Sequence, residues 1–368
     1  MQCRRYDSLD HVTNGRLNDK GGLCTMSGQN QKNAPVCTSG SYEYAVLPNG
    51  TAEIRKYLDR QTTVLDVPGE LDGHPVTRIG EWAFLGLDAL AEVLLPEGLT
   101  HLGKHAFCQS GIMAIHLPDS LRQIGAFAFY NCDHLAAIGI PHRITRIRVR
   151  TFFGCSGMTR IHLPENLSVI EDRAFQSCSA LSVLTLPPGV KHIGSKAFNY
   201  CSRLTEISLP DGLTHLGADA FDNCWSLCSA DLPDSVVTLG GGAFVACRRL
   251  TRVSLPAGLT AVGDGLFAGC ESLTEVVVPE HVVSIENMAF FNCGSLVRII
   301  LPEGLTAIAD MAFQNCVSLT ELRLPAGLTA IGSYAFGGCP GLILSVVPGS
   351  FAEAYCRENG LACRCRRD

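Results

Sequence analysis

Twelve prolines stand at positions 96, 118, 141, 164, 187, 210, 233, 256, 279, 302, 325 and 348. After a first step of 22, every step is 23 residues. Two more ladders keep that step. Phenylalanine recurs at 84, 107, 129, 152, 175, 198, 221, 244, 267, 290, 313 and 336, and cysteine at 132, 155, 178, 201, 224, 247, 270, 293, 316 and 339. A register this regular leaves one kind of answer, a single structural unit repeated. Each unit is too small to bury its own apolar face, so neighbouring units must stack into a solenoid.

The unit Leu204–Leu227 reads LTEISLPDGLTHLGADAFDNCWSL. Leu204, Ile207 and Leu209 point inward while Glu206 and Ser208 alternate outward, as on a strand. Pro210 has no N–H and ends that strand. Asp211-Gly212 makes a corner, Leu213 and Leu216 bury a second short stretch, and Gly217 is read as allowing the next bend. Ala220, Phe221, Cys224 and Leu227 have the spacing of one helical face, so a short helix or 3₁₀ turn is expected. Asp172, Ser195, Asp264, Asn287, Asp310 and Ser333, two residues before the alanine of their units, read as its N-caps.

The fold expected is therefore a right-handed α/β solenoid. It has a parallel concave sheet, short convex strands, short helical or 3₁₀ turns, and a cap at each end. Residues 1–40 lack periodicity and read as a flexible arm. Residues 41–66 form a capping hairpin around Asn49-Gly50, 67–348 the solenoid, and 349–368 the second cap. In that cap Ser350 starts a short helix and Leu361-Ala362-Cys363 closes as a strand.

With 46% hydrophobic and 17% charged residues, the chain is globular in composition. Its net charge of −6 gives no reason to expect nucleic acid, and no apolar run is long enough for a membrane helix. The polar first twenty residues carry no signal-peptide core, so the chain as it begins here is expected in the cytoplasm. Ten of the 18 cysteines hold one repeat position. Equivalent side chains on stacked coils point in parallel, which opposes disulfide geometry, so they read as free core thiols suited to a reducing or anaerobic setting.

Ile207-Ser208-Leu209-Pro210, Gly258-Leu259-Thr260-Ala261-Val262-Gly263, Ala312-Phe313-Gln314-Asn315-Cys316 and Ser318-Leu319-Thr320-Glu321-Leu322 together resemble the BspA-type class of leucine-rich repeats. The lead-in Leu71–Gly80 and the exit Pro348–Ala352 match as well, so the resemblance covers about residues 42–363. It implies a surface or secreted protein of bacteria or protists, adhesive or protein-binding, without catalytic motifs. The expected partner is then a protein, host or cell-surface, met by a monomer, with no nucleic acid, membrane insertion or cofactor.

Outward strand positions are the expected binding row: His116, Arg160, His162, Glu206, Arg252, Glu275, Val277, Arg298, Ile300, Glu321 and Arg323. Arg252, Glu275, Arg298 and Glu321 alternate in sign on consecutive coils, so neighbours are also expected to pair structurally. Arg143, Arg146, Arg148 and Arg150 crowd one drifted unit, where Arg148 replaces glycine and Thr151 replaces alanine. They read as a basic patch for an acidic, sulfated or phosphorylated ligand, or as a solvated face. His116 and His162 lie two coils apart, and His192 and His215 lack a third ligand, so no metal site is assigned. No nucleophile-elbow, P-loop, zincin or dinucleotide motif occurs. Two other readings stay open: a redox or metal-handling protein using Cys356, Cys363 and Cys365, and a purely structural spacer.

Overall fold

The computed structural model describes residues 35–366. Most of the expected arm, residues 1–34, lies outside them. The part that is described departs from that expectation: Val36–Ser39 is a strand, antiparallel to Tyr42–Val46. The next strand, Ala52–Tyr57, completes a meander around the Asn49-Gly50 turn, where the Asn49 carboxamide accepts from the Thr51 N–H and hydroxyl. Ala52–Tyr57 then runs parallel to His74–Ile79, so the cap extends a ladder of the solenoid. Asp72 and Gly73 both have positive φ (47° and 83°), as a tight hairpin turn requires. The Asp72 carboxylate accepts from Ser39 Oγ and Tyr44 Oη at 2.9 and 2.7 Å, tying the cap to the first coil.

Each coil carries a three-residue strand and a two-residue strand, such as Glu206–Ser208 and His215–Leu216. Both stack in parallel on their equivalents 23 residues away, Val183↔Glu206 and His192↔His215 for example. After the first strand, the proline carbonyl accepts the N–H three residues on (Leu213 to Pro210, 2.9 Å), closing the corner. Inward positions form one continuous core. The phenylalanine rings stack in an unbroken column from Phe84 to Phe336, with centroids 4.9 to 5.9 Å apart. All ten ladder cysteines are free thiols. Each donates its S–H to the phenylalanine carbonyl of the preceding coil, as Cys224 does to Phe198 at 3.2 Å. Burial pushes these thiols up, Cys132 to about 11 and Cys201 to about 12.

The expected helix at Ala-Phe-x-x-Cys is not formed; the segment is a run of turns. Two residues per unit, such as Asp219 and Asn223, take positive φ (54° and 59°), which no right-handed helix accommodates. The N–H groups of Asp219, Phe221 and Asn223 reach forward to carbonyls of the next coil at 3.0, 2.8 and 2.8 Å. Those of Asp222 and Cys224 close turns within their own coil. The stretch is thus a third inter-coil ladder. The residues read as N-caps serve it too: Asp172, Asp264 and Asp310 accept the N–H of Ser195, Asn287 and Ser333, one coil further on.

Gly217 is small for a different reason from the one expected. Its φ is not positive, but an added Cβ would lie 2.4 Å from the Ser195 nitrogen, so the close approach of successive coils selects glycine. At the far end, Ser350 caps the single helix among the described residues, Phe351–Glu358. The closing strand is Cys363–Cys365, two residues later than expected, parallel to Ile343–Val346.

Candidate functional site: the outward face of the three-residue strands

All eleven outward residues singled out from sequence sit at exposed positions of three-residue strands, from His116 at one end to Arg323 at the other. Inward residues of the same strands are buried or nearly so. The face also exposes the apolar side chains Leu94, Val183, Val277 and Ile300.

Charge pairing on this face does not follow simple alternation. Glu275 and Arg298, on paired strands, meet at 2.9 Å. Arg252 turns back to Asp231 at 3.8 Å, across its own paired strand, and not forward to Glu275. Arg323 reaches Glu303 at 2.7 Å. Glu321 has no ion-pair partner among the described residues, so the expected four-membered ladder reduces to separate pairs. These are exposed and individually weak.

The ladder of three-residue strands is interrupted at several places, and one interruption holds a groove. Along most of the strand face the residue preceding the strand donates its N–H to the coil before, as Thr159 does to Ala136 and Thr205 to Ser182, both at 2.9 Å. Among the described residues, Ser182 to Thr159 and Thr320 to Val297 are the links of this series that are missing. At the first of these, between the strands Arg160–His162 and Val183–Thr185, lies a groove of about 740 Å³. Its upstream wall is low because the outward residues there are Ala137 and Gly139. Arg160, His162, Glu165 and Thr185 give it polar groups; Leu163, Val183, Pro187 and Pro188 give it apolar ones.

The four arginines of the drifted coil are not brought together as one patch. Arg146 is paired to Glu171 at 3.0 Å, whose other oxygen accepts the Val149 N–H. Arg150 lies over the rings of Phe127 and Phe153 at 5.5 and 5.7 Å. Arg143 is on the corner beyond the first strand, and Arg148 is half-buried beside a small cleft that Arg122 and Arg146 also line. The two-residue ladder is interrupted here, between Gln123–Ile124 and Arg146–Ile147. Thr151 is fully buried, its hydroxyl satisfied by the Arg148 carbonyl at 2.9 Å.

Two arrangements escaped the sequence reading. Trp82, His105 and Phe127 stack with centroids 3.6 and 4.4 Å apart. They occupy the positive-φ place before Ala-Phe on three consecutive coils, so Trp-Ala-Phe, His-Ala-Phe and Phe-Ala-Phe were the available signal. Burial, aided by Lys104, lowers the His105 imidazole to about 3 and keeps it neutral. In the middle of the solenoid, Gln176 donates to Asn199, and Asn199 and Asn223 donate to the two oxygens of Asp222, all at 2.7 Å. Burial, with Asp219 nearby, raises that carboxyl to about 6.

Two of the three cap thiols, Cys356 and Cys365, are held in the protonated form. Cys356 is buried and pushed up to about 11, first by burial and then by Cys363. Cys365 donates to Glu353 Oε1 at 3.4 Å, a hydrogen bond that holds its proton on. Among the described residues no three His, Cys, Asp or Glu side chains converge to hold a metal ion, although His192 and His215 do stack at 4.2 Å. No helix among the described residues is long and apolar enough to cross a membrane.

Comparisons with known proteins agree with this architecture. The family model for the BspA type leucine rich repeat region matches in six copies, over residues 73–182, 123–250, 170–293 and 260–354. No curated protein shows a significant sequence match. Among solved structures, a leucine rich cell surface protein from Faecalibacterium prausnitzii is 25% identical, over 83% of this chain and 96% of that one, with a TM-score of 0.51. A leucine-rich repeat protein from Bacteroides ovatus is 24% identical over 90% and 100%, with a TM-score of 0.52. The pneumococcal vaccine antigen PcpA shares the fold at 15% identity, over 91% and 99%, with a TM-score of 0.53. With the repeat model spanning residues 73–354, the chain belongs to the BspA-type leucine-rich repeat family.

Proposed function

We infer that this chain is a non-enzymatic binding protein that meets a protein partner through the outward face of its three-residue strands. The observation that carries the reading is the contrast along those strands. Inward residues repeat with little change, whereas outward residues vary from coil to coil in charge and size and stay exposed. The likeness to a cell surface protein supports an adhesive role at a surface. Against the redox and metal-handling reading stand the raised Cys356 and Cys365 thiols and the lack of a converging ligand set among the described residues. A spacer needs no varied face.

The test is a biosensor panel of purified extracellular-matrix and epithelial surface proteins, run with the whole chain. Binding by a panel member that is lost with Val277→Lys and Ile300→Lys, but kept with Val237→Lys on an exposed corner, supports the reading. Binding that ignores the strand face, or no binding across the panel, sinks it.

A further inference from the structure

We propose that the groove between the Arg160–His162 and Val183–Thr185 strands is the anchoring subsite of this face, and that it receives an extended acidic segment of a protein partner with aliphatic residues beside its carboxylate. The proposal rests on the binding role inferred above and adds where contact is made and by what chemistry.

Gly139 is the starting point. Glycine inside a strand costs roughly 0.5–1 kcal/mol relative to alanine and needs a reason. Neither usual reason applies, since its φ is not positive and an added Cβ would meet nothing within 4 Å. Gly217 is the contrast, filled by its neighbour's backbone. The fold therefore does not demand a glycine at 139; what the glycine provides is open space. Ala137, the other outward residue of the same strand, enlarges it. Together they lower one wall of the groove just where the next strand raises Arg160 and His162.

The chemistry of the walls narrows the occupant. Arg160 has no ion-pair partner among the described residues, whereas Arg146, Arg252, Arg298 and Arg323 all do. An unpaired guanidinium beside an imidazole, at the edge of an open groove, favours a carboxylate, which it can grip through two hydrogen bonds. Glu165 repels a second carboxylate at the far end, so the acid belongs at the Arg160 end. Beyond it, Val183, Pro187 and Pro188 offer an apolar wall, stiffened by the paired prolines. The lining is drawn from successive coils in an open trough, which suits a length of extended chain. The apolar wall separates this site from one built for a bare sulfate or phosphate.

The experiment uses the full chain and a fluorescein-labelled, end-blocked peptide with a single glutamate flanked by valines. Its valine–glutamine counterpart and a sulfated heparin oligosaccharide serve as comparison probes. Fluorescence anisotropy is expected to give saturable, salt-sensitive binding of the acidic peptide. Arg160→Ala should weaken it about tenfold or more, as loss of one charge-assisted contact does. Gly139→Leu, which fills the trough without touching the core, should abolish it, while Arg357→Ala on the terminal helix leaves it within about twofold. Thermal melts check that each variant is folded. No saturable binding, equal binding of the glutamine peptide, insensitivity to Arg160→Ala and Gly139→Leu, or preference for the sulfated sugar would each overturn the proposal. A surface-protein hit that survives Gly139→Leu would do the same while leaving the wider binding role standing. A panel without hits removes both.

Discussion

Two glycine-to-alanine substitutions separate what the fold requires from what it leaves free. In Gly217→Ala, the new methyl would lie 2.4 Å from the Ser195 nitrogen and 2.6 Å from the Gly194 carbonyl carbon, distances that real Cβ atoms do not keep. The coils must part locally, which strains the 2.8 Å bond from the Gly217 N–H to the Ile193 carbonyl. Glu171, Glu286 and Ala309 occupy the same place on other coils, so the backbone can yield by a few tenths of an ångström. Overpacking of this kind costs roughly 1–3 kcal/mol, and the weakened hydrogen bond adds up to about 1 kcal/mol. Gly139→Ala meets no atom, and stiffening the unfolded chain should stabilise the protein by about 0.4–1 kcal/mol. The two variants should thus differ by roughly 2–4 kcal/mol in urea unfolding, with Gly139→Ala above the parent and Gly217→Ala below it. Equal stabilities, or a Gly139→Ala that loses more than about 1 kcal/mol, would refute the packing on which both assignments rest.

Other outcomes follow from the buried groups. With an aromatic disulfide reagent, the ladder thiols and Cys356 should react only on unfolding, while exposed Cys363 and Cys365 react in the native chain; fast modification of the ladder would contradict its burial. Cys224→Ser should cost only about 1 kcal/mol, because Ser110 already fills the ladder position of its own coil, its hydroxyl satisfied by the Phe107 carbonyl of that same coil at 2.8 Å. The pH dependence has two opposed parts. His105, lowered to about 3 in the fold, leaves the unfolded chain to bind the extra proton, so stability falls as pH drops below about 6.5. Asp222, raised to about 6, does the reverse: its ionisation costs stability above pH 6, and the cost disappears as pH falls towards 4. His105→Phe should therefore flatten the acid side of the stability profile, and Asp222→Asn should stabilise at pH 7.5 with an advantage that fades by pH 4. Urea midpoints across that range decide both.

The Pro-Phe-Cys register made the coil legible, because burial at a fixed step follows from residue type alone. Leu204, Ile207, Phe221 and Cys224 are all buried or nearly so. The turn segment was not legible for a definite reason. Ala220, Phe221, Cys224 and Leu227 have the same spacing in a helix as in a ladder of turns. What decides between them is whether the N–H groups of Asp219 and Asn223 find carbonyls on the next coil, a contact between units. The same limit hid the true acceptor role of Asp172 and Asp310, and the choice of Arg252 for Asp231 over Glu275. For the candidate site, the outward row could be read from alternation, but the groove could not. It needs the missing Ser182 link and the empty space above Gly139, and neither has a motif. In the arginine-rich coil, Arg146 and Arg148 share a cleft with Arg122 while Arg150 lies over Phe127 and Phe153, a division that sequence order alone does not reveal.

Amide hydrogen exchange resolved to single residues tests the central claim most directly: that identical coils are locked by repeating ladders and opened at a seam beneath the proposed binding groove. Protection should recur every 23 residues, with the amides of Phe198, Phe221 and Phe244 slow alike, and the Ser182 amide should exchange much faster than those of Thr159 and Thr205. A Ser182 amide as protected as Thr205, or protection without the 23-residue period, would contradict it.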